Sequence, residues 1–188
     1  QQQVDALTTA VAWSVVRQDR ADALAKLAVD EGGFGNYADK VTKIRNRVMG
    51  TLADIAGVKT VGVIQELPEK GLIKIAKPVG VVAALIPTTG PDATPPLKTL
   101  LTLKGRNAII IAAHPRTQKT TALVVQYMRE ASTQIGAPAD LVQLVDKPSF
   151  AKTQELMRQA DLIVATGGGR HGQGRLQLRD AGLRGRRR

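Results

Sequence analysis

Cysteine is absent from this 188-residue sequence. That removes disulfides, zinc–thiolate sites and any thiol nucleophile from the chain itself. Histidine is reduced to His114 and His171, neither with a His/Asp/Glu cluster at metal-ligand spacing, so no metal site is expected. Aromatic residues make up 3% of the chain (Trp13, Phe34, Tyr37, Tyr127 and Phe150), and none sits in a base-stacking motif. No apolar run approaches the ~20 residues of a membrane span, and no secretory signal pattern opens the chain. The expectation is a cytoplasmic protein with no membrane partner. The first residue is Gln1 rather than Met, so the expected start lies upstream.

What is present is ordinary globular composition, 43% hydrophobic and 23% charged. The length suits one domain with a sizeable core, or one domain plus a small appendage. The net charge of +11 invites a nucleic-acid reading, but its distribution argues against one. Residues 170–188 hold seven arginines and one aspartate, so +6 of the total comes from the last nineteen positions. The high isoelectric point mostly reports that tail.

In chain order, residues 3–30 read as a helix: Val4, Leu7, Val11 and Val15 recur at three- and four-residue steps, and Leu24, Leu27 and Ala28 continue nearby. Gly32-Gly33 stop it. A second helix is expected over 37–56, with Val41, Ile44, Val48, Leu52 and Ile55 on one face and Gly57 at its C-terminal cap. Residues 58–76 suggest one or two extended pieces around the turn Pro68-Glu69-Lys70-Gly71.

From Lys77 the pattern changes. Val79–Ile86 is a near-continuous apolar run ending at Pro87. Asp92 or Thr94 is the expected cap of a helix with Pro95 in its first turn and Leu97, Leu100, Leu101 and Leu103 on its inner face. Gly105 ends it. Ala108–Ala113 is again apolar throughout, closed by His114-Pro115. Thr117 is the expected cap of a longer helix carrying Leu123, Val124, Tyr127, Met128, Ala131 and Ile135, with Gly136 and Pro138 beyond it. A third strand is expected at 141–145, a helix capped by Ser149, and a fourth strand at 162–165.

The order β-α-β-α-β-α-β, with strands apolar throughout rather than alternating, predicts a parallel sheet covered on both faces. Ligands of such sheets bind at the carboxyl ends of the strands. Those ends are Ile86–Gly90, Ala113–Arg116 and Thr166–Gly169. The strand that empties into Gly167-Gly168-Gly169 reads equally as a phosphate cradle or as a plain loop after a core strand. Three polar or glycine-bearing ends on one side of a sheet favour nucleotide binding.

The same stretches carry a family likeness. Lys77–Pro91 (K-P-V-G-V-V-A-A-L-I-P-T-T-G-P) resembles the opening strand of the aldehyde dehydrogenase nucleotide-binding domain. Leu97–Arg116 (L-K-T-L-L-T-L-K-G-R-N-A-I-I-I-A-A-H-P-R) is similar to the CoA-acylating branch, which includes acetaldehyde, propionaldehyde and sulfoacetaldehyde dehydrogenases. Gly136-Ala137-Pro138, Val145–Ser149 and Ala165–Gly168 fit that branch, and Glu31–Gly35 with Asp39-Lys40 resembles its N-terminal helical segment. The likeness runs from about Val4 to Gly169.

The resemblance implies a Rossmann-like parallel sheet, incomplete, preceded by an N-terminal helical segment. By resemblance, residues 1–57 are that helical segment, 58–76 an extended subunit-contact segment that makes a homo-oligomer expected, 77–169 a partial NAD(P)-binding domain and 170–188 a basic tail, disordered. It also implies oxidation of an aldehyde with NAD or NADP and transfer of the acyl group to coenzyme A. There a cysteine attacks the aldehyde, and a backbone N–H with an Asn amide holds the oxyanion. Pro87, Thr88 and Thr89 match the strand-end wall beside the cofactor; His114, Pro115 and Arg116 match the segment beside the adenosine ribose; Thr166, Gly167 and Gly168 match the turn under the pyrophosphate. Gly90 stands where the family carries its oxyanion Asn, and losing such a donor costs on the order of 100–1000-fold in turnover. The family's cysteine lies roughly a hundred residues beyond the glycine turn. The sequence therefore implies family membership but no turnover by this chain.

Two alternatives stay open, a non-catalytic nucleotide-binding module and an interaction or nucleic-acid protein working through the arginine tail, the latter ranked last. The tail reads as a basic arm, as a solvated end, or as the product of a reading-frame slip after Gly169. Synonymous codons for His171–Arg188 exist that read, one base forward, as M-V-K-A-A-Y-S-S-G-T-P-A-Y-G-V-G-A, similar to the family's continuation. The slip is the expectation. DNA sequencing across codons 165–188 checks it: a one-base shift should restore the family pattern, and a gene in which no shift does so removes the idea.

Overall fold

The computed structural model describes residues 1–166. Gly167, Gly168 and the basic tail, for which a glycine turn and a lost frame are expected, lie outside the described residues.

The sheet follows from its strands. β3 (Val81–Leu85), β4 (Ala108–Ala112), β5 (Val142–Leu144) and β6 (Leu162–Ala165) are short apolar runs in the order β5-β4-β3-β6, every neighbouring pair parallel. Helices α4 (Thr94–Lys104), α5 (Gln118–Gln134) and α6 (Phe150–Gln159) make the crossovers. Alternate residues divide the strands between two cores. Ala84, Ile86, Ile109, Ile111 and Val142 face a large core shared with α4 and α5, while Leu85 and Ala112 face a small one with Met157 of α6. Chains buried on both faces need no polar alternation, which is why these strands read as unbroken apolar runs.

Three further helices cover α4 and α5 from outside: α1 (Gln2–Val16), α2 (Gln18–Gly32) and α3 (Tyr37–Ile55). The single helix expected over 3–30 is two helices, broken at Arg17, whose ψ of 143° is extended. Continuing the face of Val11 and Val15 would have brought Gln18, Asp22 and Lys26 inward; the break rotates Ala21, Leu24, Ala25 and Ala28 into the core instead. Polar links join the two layers. Lys104 reaches Asp5 at 2.5 Å, and Arg20 pairs with Glu130 at 2.9 Å while lying over the Tyr127 ring.

The amino ends of the strands are pinned by side chains. Asn107 accepts hydrogen bonds from the Val79 and Gly80 N–H groups at 2.6 and 3.0 Å. Asp161 accepts from Val81 N–H at 2.8 Å. Gly80, at φ +126°, is required here, because a Cβ would lie 2.1 Å from the Asp161 carboxylate.

Residues 58–76 contain an antiparallel hairpin, β1 (Gly62–Leu67) and β2 (Leu72–Ala76), joined through a 3₁₀ turn at Pro68–Lys70. Four of its apolar side chains, Ile64, Leu72, Ile73 and Ile75, are exposed.

Two features of α4 differ from expectation. Leu100 and Leu103 are buried, but Leu101 is 56% exposed, and Thr99 and Thr102 are buried in its place. Position 101 falls on the outer side of a helix whose inner stripe runs through 96, 99, 100 and 103. The expected cap at Asp92 or Thr94 is also absent: Ala93 holds the cap position and no side chain caps α4. Accordingly, Leu100→Ala is expected to destabilise the chain by about 2–5 kcal/mol and Leu101→Ala by no more than about 0.5 kcal/mol, read from urea denaturation midpoints.

Candidate functional site

Because all four strands run the same way, their carboxyl ends collect on one edge. β3 is central, and its two crossover directions diverge there, toward β4 and toward β6. In open parallel sheets ligands bind in the crevice outside such a switch point. Two backbone bonds tie the strand ends together: Ile86 N–H donates to Ala112 carbonyl at 3.1 Å, and Thr166 N–H to Leu85 carbonyl at 3.3 Å. The three ends marked in the sequence are thus brought together as far as residue 166. Pro87, Thr88 and His114 are half-buried, and Thr89, Pro115, Arg116 and Thr166 are exposed. Gly90 is buried, and a Cβ placed there would lie 2.5 Å from the Thr94 hydroxyl.

The first turn after β3 is fixed from two directions. Gly90 N–H donates to Pro87 carbonyl at 3.3 Å, and both Lys40 and Lys43 of α3 donate to the Thr89 carbonyl at 3.3 Å. The same lysines flank Asp92, at 3.5 and 3.1 Å. Asp92 is fully buried, and its carboxylate is held by their charge, with no aligned hydrogen bond among the described residues. Asp92 is therefore an ionic anchor rather than a helix cap. Burial draws the Lys40 ammonium below its ordinary lysine value, against the opposing pull of Asp92 and with the help of Lys43.

Beneath this edge lies Lys98 of α4, whose ammonium donates to the Leu85 carbonyl at 2.6 Å and the Val164 carbonyl at 2.9 Å. It joins β3 to β6 at the switch point. Nothing in the leucine pattern of that helix marked this residue. The one signal was a lysine on a helix face that the sequence otherwise fills with apolar and hydroxyl groups.

The start of α4 offers no phosphate cradle. Pro95 and Pro96 have no N–H, Thr94 N–H is used by Gly90 carbonyl at 3.1 Å, and Leu97 N–H by Ala93 carbonyl at 3.4 Å. The start of α5 is closed differently. Thr117, expected as its cap, makes no side-chain cap bond, and its buried hydroxyl has no hydrogen-bond partner among the described residues. Glu31, the penultimate residue of α2, does the capping: its carboxylate accepts from Lys119 N–H and Thr120 N–H, each at 2.8 Å, and from the Thr120 hydroxyl at 2.7 Å. A Cβ on Gly32 would lie 3.3 Å from the Thr117 methyl, so α2 approaches this turn closely. Phe34 follows, and the Arg116 guanidinium lies 5.6 Å from its ring centre. His114 Nδ1 accepts from Arg116 N–H at 3.2 Å, setting the course of the chain after β4.

A family model described as "Aldehyde dehydrogenase family" matches residues 11–181. A sulfoacetaldehyde dehydrogenase of Acholeplasma sp. is 46% identical over 169 residues, which is 90% of this chain and 35% of that protein. The chain thus spans little more than a third of the curated relative's length. Among solved structures, an acetylating aldehyde dehydrogenase from Geobacillus thermoglucosidasius aligns with a TM-score of 0.89 at 36% identity, over 94% of this chain and 39% of that one. An engineered glycolyl-CoA reductase with bound NADP+ aligns with a TM-score of 0.79 at 26% identity, over 94% and 40%.

The buried lysine gives a pH signature. Between the lowered value of Lys40 and the ordinary 10.5, the unfolded chain binds a proton that the folded chain does not. Stability is therefore expected to rise with pH through that window, and Lys40→Met should abolish the rise. Urea denaturation midpoints of the two proteins across the alkaline range check this.

Proposed function

The chain belongs to the aldehyde dehydrogenase family, and on that premise we propose that it forms the dinucleotide-facing part of an NAD(P)-dependent, CoA-acylating aldehyde dehydrogenase. The observation that carries the reading is the carboxyl edge at the switch point beside β3, where polar side chains from three strand ends are accessible. The acylating relatives support the reaction class: an aldehyde, coenzyme A and NAD(P) as reactants, an acyl-CoA as product.

The donor set suits a dinucleotide. Pro87, Thr88 and Thr89 form the wall after β3, held in place by Lys40 and Lys43. His114, Pro115 and Arg116 lie at the end of β4, where an adenosine ribose is met in such folds. Thr166 follows β6, and with Gly167 and Gly168 it is assigned the pyrophosphate contact by the family likeness. With Pro95 and Pro96 closing the start of α4, phosphate recognition falls to these residues rather than to the first helix. When bound, the nicotinamide accepts the hydride released by the aldehyde carbon. This chain's own part is to bind and orient: Lys98 keeps the β3 and β6 ends at fixed spacing, and the Thr88–Gly90 turn is held rigid by two lysines.

Covalent capture of the aldehyde needs a thiol, and this sequence contains none. Residue 90, a glycine, has no side-chain donor for an oxyanion. The chain by itself is proposed to bind nucleotide without turnover. The exposed apolar side chains of the hairpin over residues 62–76 support self-association as the proposed assembly.

Titration calorimetry with NAD+ and NADP+ tests the site: saturable, weak binding of at least one dinucleotide is expected, and Lys98→Met should weaken it. Absence of binding to either would remove the reading. Aldehyde- and CoA-dependent NADH formation by the purified chain would contradict the absence of turnover.

A further inference from the structure

The first turn of α5 is capped by a residue that belongs to α2. The inference rests on the dinucleotide reading above. In open parallel sheets the end of the second strand faces the adenosine ribose. A carboxylate there accepts the 2′-hydroxyl of NAD, whereas an arginine accommodates the 2′-phosphate of NADP. β4 is the second strand of the sheet in chain order, and the turn that follows it carries an arginine, Arg116. The acid comes from elsewhere.

Glu31 already fills the positive end of α5. Its two oxygens accept from Lys119 N–H, Thr120 N–H and the Thr120 hydroxyl, all within 2.8 Å. These are the donors that a helix start would otherwise turn toward an anion. A carboxylate has about four lone-pair positions, so with three taken one acceptor remains for a ribose hydroxyl. A phosphate in the same place would meet a like charge and two amides already in use. Arg116, the cation that would favour a phosphate, rests instead over the Phe34 ring. Lys119 is the other cation on this turn. Both work against Glu31, so the preference is a contest between one carboxylate seated on the helix start and two exposed basic side chains.

We propose that Glu31 makes this a site for the non-phosphorylated dinucleotide, NAD, by occupying the anion position at the start of α5 and repelling a 2′-phosphate. At this place Gly32 packs closely on Thr117, and Gly33, at φ +69°, turns the chain away after α2.

Calorimetric titration of the full chain with NAD+ and NADP+ supplies the main test. NAD+ is expected to bind about tenfold more tightly than NADP+. Glu31→Gln keeps the side-chain volume and one acceptor but removes the charge, and it should bring the two constants together by tightening NADP+. Arg116→Ala should weaken NADP+ alone. A wild-type preference for NADP+, or a ratio unmoved by Glu31→Gln, overturns the inference. If neither dinucleotide binds, the dinucleotide reading fails, and a second measurement decides the role of Glu31 separately. Inorganic phosphate is added while the Lys119 and Thr120 amide resonances are followed. They should stay in place in the wild type and shift in Glu31→Gln. Equal responses in the two proteins overturn the claim that Glu31 holds the anion position.

Discussion

The structure depends on β3 being paired in parallel on both sides. A strand with two parallel neighbours has its hydrogen bonds satisfied only inside a sheet whose crossovers pass over its faces. From that one placement come the burial of both faces, the need for helices above and below, and the gathering of Pro87–Gly90, His114–Arg116 and Thr166 on one edge. That edge is a geometric result of connection order, because the chain leaves β3 toward β4 and returns to its other side only after α6.

What lines that edge is governed by how each buried polar group is satisfied. The helix starts that would ordinarily face an anion are closed, α4 by two prolines and α5 by Glu31. Cations stand beside them: Lys98 bridges two strand-end carbonyls, and Lys40 and Lys43 share the Thr89 carbonyl and the buried Asp92. An unpaired charge at such depth would be strongly destabilising, and each of these is paired or hydrogen-bonded. The N-terminal helices therefore do more than cover the sheet. α3 supplies the lysines that shape the turn after β3, and α2 supplies the acid that closes α5.

Much of this fold was legible in the sequence. Elements from α3 to β6 lie where periodicity, glycine and proline placed them, to within a residue or two at most ends, and Ser149 caps α6 as its position suggests, accepting from Lys152 N–H at 3.2 Å. The misreadings share a cause. Arg17 breaks a helix with neither glycine nor proline, because a continuous helix would have buried Gln18, Asp22 and Lys26. Leu101 is apolar yet faces out. Asp92 and Thr117 have the chemistry of caps and sit at helix starts, but one was recruited by lysines of another helix and the other was displaced by the carboxylate of Glu31, 89 residues before the Thr120 that it caps.

The sequence by itself determined the elements from α3 onward, the parallel character of β3 to β6 and the strand ends proposed as the candidate site. These follow from local spacing of apolar residues and from the backbone limits of glycine and proline, which act within a few residues. Only the tertiary structure decided that β3 lies between β4 and β6, that Lys98 joins them, and that Glu31 completes α5. Those outcomes turn on which distant group satisfies a buried donor or acceptor, and hydrogen-bond satisfaction across a packed interface leaves no periodic trace in the chain.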